Sequence, residues 1–329
     1  MRVLVTGAFG NIGSHTVDAL LDEGHKVRAL RFGAERVHPA RRARWARDVE
    51  VVSGDVRAPD TLVAAVRDVD VVIHLAFVIP PACLEAPEPA RRVNVDGTRH
   101  LIEAMRAHAP RARLLFASTL DVFGHTQHLP PPRRRDDPVQ ATDVYSQHKL
   151  ECEALVRASE LVWGIIRYAD VPPMELRGPV PIMFDIPLAQ RIEAIHPVDA
   201  GLATARAAAH DETWGQTWLI GGGPTCQVRY GEYLARLFAA MELGAPLPDL
   251  AFTTSPYCTD WLDTEHSQRL FQYQRASFDD IVRDTSALLG WRRPFARLAR
   301  PLVRWHMLRM SPYYRLPSGA SRERVMAPR

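Results

Sequence analysis

Only two of the 41 lysines and arginines in this chain are lysines, and one of them, Lys149, stands four residues after Tyr145. Four residues apart on a helix, two side chains share one face. An ammonium beside a phenol favours the phenolate and lowers a pKa that is ordinarily about 10. A tyrosine so placed can exchange a proton near neutral pH. Arginine holds its proton too firmly and has the wrong shape for that task. In a chain that otherwise uses arginine, a lysine kept at this spacing marks candidate acid–base chemistry.

The elements that must position such a pair begin at the first residues. Residues 2–6 (RVLVT) read as a buried strand, residues 14–23 as a helix and residues 26–30 as a second strand. Between strand and helix lies Gly7-Ala8-Phe9-Gly10-Asn11-Ile12-Gly13. Gly7 permits the tight turn, Gly10 lets backbone approach a pyrophosphate, and Gly13 lets the helix pack closely on the strand. The free N–H groups of the helix start then face the phosphates. A glycine triplet alone is weak, but the strand before it and the helix after it supply the required context.

With Tyr145 and Lys149, this G-x-x-G-x-x-G spacing resembles the extended branch of the short-chain dehydrogenase/reductase superfamily, over roughly residues 1–290. The resemblance implies an α/β fold, a Rossmann-type doubly wound parallel sheet with a small C-terminal substrate lobe. It implies cofactor contacts from Gly7, Phe9, Gly10, Asn11, Ile12 and Gly13. Asp55 and Val56, after a strand at 49–53, look like the adenine-contacting position. Leu75 and Ala76 follow a fourth strand and look like a cofactor loop. Asn94 opens an N-V-x-G-T-like helix start (NVDGT), and Arg167 ends a later strand. The strand in LLFASTLDVFG delivers Thr119, where many relatives have serine. By resemblance, Thr119 holds the substrate oxygen, Tyr145 exchanges its proton, and Lys149 lowers the tyrosine pKa and bonds the nicotinamide ribose.

Strand two ends Val27-Arg28-Ala29-Leu30-Arg31-Phe32, and no acid follows before Glu35. NAD-specific relatives place an acid where Arg31 stands. Arg31, with Arg28 as a second candidate, suits a 2′-phosphate instead. NADP(H) is therefore favoured over NAD(H). Candidate pocket residues are Phe77, Ile79, Asp121, Asp170 and Val171, with Val78, Pro80, Pro172 and Met174 nearby in sequence. The expected activity is hydride transfer between NADP(H) and a carbonyl or alcohol of a small, fairly apolar substrate. A sugar-nucleotide epimerase with tightly bound NAD is the alternative, because residues 1–16 look very like the start of UDP-galactose 4-epimerase. An Asp170 carboxylate would repel a nucleotide diphosphate, and Leu120-Asp121 breaks the Asp-Glu pair of the 4,6-dehydratases. A non-catalytic nucleotide-binding regulator is the third and weakest reading.

The alternation of strand and helix signals assigns residues 1–168 to the dinucleotide-binding domain, with 192–223 returning to it. Residues 169–191 and 224–290 form the expected substrate lobe, and 291–329 a basic tail. The proline- and arginine-rich stretch 129–138 reads as a surface loop with solvated charges. Phe271-Gln272 stands where relatives have a Leu-Gly step, so a different local turn is expected there. Four scattered cysteines without a C-x-x-C argue against a metal site and against a disulfide framework. No stretch reaches membrane-span length, and the chain enters a strand directly, so a cytoplasmic protein without a leader is expected. Small-molecule substrate and a homodimer are the expected partners, with no nucleic acid. From Arg292 onward there are ten arginines against the single acid Glu323, leaving the rest of the chain acidic. This tail, interrupted by Pro301, is expected to pack on the body or a second subunit, with peripheral membrane contact the next choice.

Overall fold

The computed structural model describes residues 1–314. Contacts divide it into two units: Met1–Pro173 with Glu193–Gln227 and Cys258–Phe278, and Met174–Ile192 with Val228–Tyr257 and the chain from Asp279 on.

The first unit is built on strands β1 (Arg2–Thr6), β2 (Lys26–Arg31), β3 (Val49–Ser53), β4 (Val71–His74), β5 (Arg113–Thr119) and β6 (Trp163–Tyr168). After β7 (Arg191–Glu193) comes β8 (Thr217–Ile220). The seven-stranded sheet has the order β3-β2-β1-β4-β5-β6-β8, and every pairing is parallel. Side chains alternate across it. Val3, Val5, Val71, Ile73 and Leu115 enter one core cluster, while Leu4, Val72, Leu114 and Phe116 enter the other. Both faces are covered, so the strands read as unbroken apolar runs.

The helices are α1 (Asn11–Asp22), α2 (Pro39–Asp48), α3 (Pro59–Val66), short α4 (Ala82–Glu85) and α5 (Pro87–Arg91), α6 (Gly97–His108), α7 (Val144–Arg157) and α8 (Pro197–Ala209). Val17 and Leu20 of α1, Trp45 of α2 and the alanines of α8 fill the first cluster; α3, α6 and α7 supply the second. Strand order reverses between β1 and β4, which opens a crevice at their carboxyl ends.

Two local expectations need correction, and one local turn takes a definite form. Arg133 in the 129–138 loop is buried, not solvated: its guanidinium lies 3.3 Å from Asp137 and 3.4 Å from Asp260. Helix α10 (Glu265–Phe271) ends with Gln272 in the left-handed conformation, φ 48°, so glutamine makes the turn expected to differ.

The second unit holds α9 (Tyr230–Ala240), most of α11 (Phe278–Ala287) and α12 (Arg293–Met310). Its apolar centre pairs Phe184 with Phe252 at 5.4 Å and includes Tyr230, Leu247 and Met307. The second correction is here: α12 runs unbroken through Pro301. Pro301 faces solvent, where the carbonyl that loses its donor can be hydrated.

Helix α1 and helix α8 approach closely because α8 carries glycine at the crossing. A Cβ on Gly201 would sit 2.5 Å from the backbone of His15. Gly201→Ala should therefore separate the helices and destabilise the chain by about 1–3 kcal/mol, read as a lowered urea midpoint with an unchanged slope.

Candidate active site

The dinucleotide crevice is organised around Gly7 and Thr6. Gly7 has φ +68°, and a Cβ there would lie 2.6 Å from the backbone carbon of Leu75. The loops after β1 and β4 therefore touch through bare backbone. The Thr6 hydroxyl meets His74 Nδ1 at 2.7 Å and accepts from Ala76 N at 3.2 Å. His74 Nε2 in turn lies 3.0 Å from the Thr98 hydroxyl. Burial lowers the His74 pKa to about 3, so this ring is a neutral strut. Sequence inspection gave it no role; its position one residue before the cofactor loop was the only signal.

Gly10 is the N-cap of α1 and offers no side chain to satisfy the first-turn N–H groups. Gly13 cannot be larger, since its Cβ would fall 2.0 Å from Gly7 O. Asn11 donates to Val171 O at 3.0 Å, tying the glycine loop to the segment after β6. Phe9 packs on Trp45 at 5.5 Å, and Ile12 borders the same core. These features fit a pyrophosphate on a helix N-terminus.

The expected catalytic triplet, Thr119, Tyr145 and Lys149, comes together at the end of β5. Asp143 caps α7, accepting from Ser146 N at 2.7 Å while Ser146 Oγ accepts from Asp143 N. This capping box sets the start of the helix, and Tyr145 and Lys149 follow on its inner face. Lys149 is buried and donates to Ala117 O at 2.6 Å, and its ammonium lies 3.5 Å from the Phe77 ring centre. Burial lowers its pKa to about 7, against the charges of Glu153 and Asp121. Tyr145 meets the Phe77 ring edge-on at 5.9 Å. Its pKa lies above the ordinary tyrosine value, first through burial and then through the charge of Asp121; the Thr119 hydroxyl acts the other way. The expected lowering by Lys149 is thus outweighed here, where the ammonium is spent on a carbonyl and an aromatic face.

Three carboxylates surround this end. Asp121 is partly buried, and its backbone N–H donates to Thr119 Oγ1 at 3.2 Å. Burial, then Asp143 and Asp170, raise its pKa to about 7. Phe77 and Asp121 therefore join the triplet. Asp170 is exposed and acts on it through charge, Val171 packs toward the sheet, and Ile79 is exposed.

Several expected cofactor contacts are engaged elsewhere. Arg167 is buried and forks onto Glu153 at 2.9 and 2.8 Å. Glu153 also accepts from Ser118 Oγ at 2.6 Å, so Arg167 is an internal brace, not a free cation. Asn94 clamps Val78 through both amide ends, at 2.7 and 3.0 Å, and positions the Leu75–Ile79 loop. Arg28 is buried, donating to Ala65 O at 2.8 Å and Arg67 O at 2.7 Å, which removes it as a 2′-phosphate ligand. Arg31 is partly exposed, bonds only Ser53 Oγ at 3.2 Å, and has no carboxylate partner among the described residues. Asp55 is paired with Arg57 at 2.6 Å, and Arg57 stacks 5.2 Å over Phe32. Val56 is buried beneath Gly97. Among the described residues no group of three His, Cys, Asp or Glu side chains could hold a metal ion.

The model of the NAD dependent epimerase/dehydratase family matches residues 3–179. The chain belongs to this family. Its curated relatives include a UDP-glucose 4-epimerase of Halalkalibacterium halodurans, 28% identical over 58% of this chain and 60% of the relative. The chain thus spans about three-fifths of that relative's length. A 3-diazoavenalumate denitrifying reductase of a Streptomyces species is 29% identical over 89% of this chain and 96% of the relative. Among solved structures, a UDP-glucuronic acid 4-epimerase mutant of Bacillus cereus, in complex with a fluorinated UDP-sugar and NAD, superposes with a TM-score of 0.73. It is 20% identical and covers 88% of this chain and 99% of that one, a likeness of fold. The family contains NAD-dependent enzymes of both epimerase and reductase or dehydrogenase type.

The raised Asp121 pKa has a sign. Folded Asp121 holds its proton up to about pH 7, unfolded only to 3.8, so its contribution to stability falls as pH rises across that window. Asp121→Asn should match the wild type near pH 4 and exceed it at pH 8 by about 1–2 kcal/mol, discounted for partial exposure. Denaturant unfolding at the two pH values checks this.

Proposed function

We propose that this chain is an NADP(H)-dependent reductase or dehydrogenase acting on a carbonyl/alcohol pair of a small, fairly apolar substrate. The observation that carries the reading is the set Thr119, Tyr145 and Lys149 at one strand end, ringed by carboxylates. A bound nicotinamide would supply or accept the hydride. Tyr145 exchanges a proton with the substrate oxygen, and its raised pKa keeps the phenol protonated, the form that carbonyl reduction starts from. Thr119 orients that oxygen. Lys149, with a pKa of about 7, can take part in re-protonation near neutral pH. Phe77 gives the site an apolar wall.

Asp143 and Asp170, joined by Asp121 once it ionises above about pH 7, oppose an anionic substrate. This weighs against the sugar-nucleotide epimerase, which the family likeness keeps as the second reading. The relative matched over most of both chains is named a reductase, which supports the first. Arg31, free of carboxylates, is the proposed 2′-phosphate ligand, with Asp55 and Arg57 beside the adenine position. A homodimer remains part of this proposal on the family resemblance.

The first test identifies the nucleotide released on denaturation and titrates the emptied protein with NADPH and NADH. Exchangeable NADPH supports the reductase; retained, non-exchanging NAD would sink it in favour of the epimerase. Tyr145→Phe should lower turnover about 10²–10⁴-fold with NADPH affinity preserved; full activity would refute the proton role. Arg31→Ser should weaken NADPH about 10–100-fold and leave NADH unchanged, as read from the two dissociation constants.

A further inference from the structure

Helix α12 turns its polar side toward its own unit and its apolar side outward. Arg297 pairs with Glu242 at 3.0 Å, and Arg293 lies 3.5 Å from the same carboxylate. Arg304 donates to Leu243 O at 3.0 Å and Pro246 O at 3.1 Å, and Met307 is buried. On the opposite side Trp291, Phe295, Leu298, Leu302 and Trp305 are 76, 62, 81, 67 and 46% exposed. Their spacing of four, three, four and three residues forms one stripe along α12 and the 3-10 turn, Gly290–Arg292, that leads into it. A stripe of this size on a chain otherwise well packed marks a surface that something covers.

The charge around the stripe decides what covers it. Residues 292–310 contain six arginines and no acid, and Glu242 is the one described carboxylate paired with any of them. Arg292 lies 5.6 Å over Trp291 and Arg309 4.7 Å over Trp305, so a cation caps the indole near each end. Neither has a carboxylate partner among the described residues. A second copy laid on the stripe would find no acid along it and would set the Arg292 and Arg309 of each copy against a surface that carries only cations. An anionic bilayer supplies both what the stripe lacks, an apolar depth, and what Arg292 and Arg309 beside it lack, negative charge. Indoles also favour the headgroup level. No helix among the described residues is long and apolar enough to cross a membrane, so the geometry is that of a helix lying in the interface plane. We infer that α12 docks this protein onto an anionic lipid surface.

The test is flotation of the full-length protein with phosphatidylglycerol/phosphatidylcholine vesicles and with phosphatidylcholine alone. The wild type should float with the mixed vesicles and at least about tenfold less with the zwitterionic ones. Leu298→Ser with Leu302→Ser, both at exposed positions, should abolish flotation without shifting thermal unfolding. Brominated lipid should quench tryptophan emission in the wild type, which tests the contact without any variant. The inference falls if the wild type stays at the bottom with anionic vesicles, or if the double variant floats equally well. It also falls if the stripe instead holds a dimer that sedimentation velocity shows and the double variant dissociates.

Discussion

The chemistry of this chain depends on a seam two strands wide. Between β1 and β4 the order of the sheet reverses, and there the backbone at Gly7 touches the backbone at Leu75. The Thr6 hydroxyl, accepting from Ala76 N and meeting the neutral ring of His74, holds that contact, with Thr98 behind. The helix start that can face phosphates and the loop that carries Phe77 are both extensions of this seam. A methyl group at Gly7 would separate them.

At the other end of the site, burial governs every titrating group. It holds Tyr145 protonated, brings Lys149 down to about 7 and takes Asp121 up to about 7. Free in water, a lysine and an aspartic acid stand more than six units apart. The aromatic face of Phe77 acts on Lys149 in two opposed ways, excluding water, which lowers the pKa, and attracting the ammonium, which resists that lowering.

The sheet was legible because its strands are buried on both faces and so appear as apolar runs. Thr119, Tyr145 and Lys149 were legible through residue type and spacing. What escaped were the fates of individual cations. Arg28 and Arg31 lie three residues apart on one strand, and both could be offered to a phosphate. Arg28 instead takes the carbonyls at the end of α3, which requires knowing where that helix stops. Arg167 and Arg133 find carboxylates on other elements, Glu153 and Asp260, and no local pattern announces such pairs. Pro301 was overrated as a breaker because its exposed side forgives the lost bond. At Gln272 a side chain tolerates the backbone conformation that glycine adopts more easily.

Asn94 sits in a π-helical turn, Arg92–Asp96, that leads directly into α6. Such a turn is an α-helix carrying one residue more than its register needs. Loss of a single residue there would let the helix close regularly, and everything before it would rotate by about 100°. Asn94 would then leave Val78, and the loop that carries Phe77 beneath the Tyr145 phenol would lose its anchor. This stretch can therefore exchange residues far more readily than it can change its length.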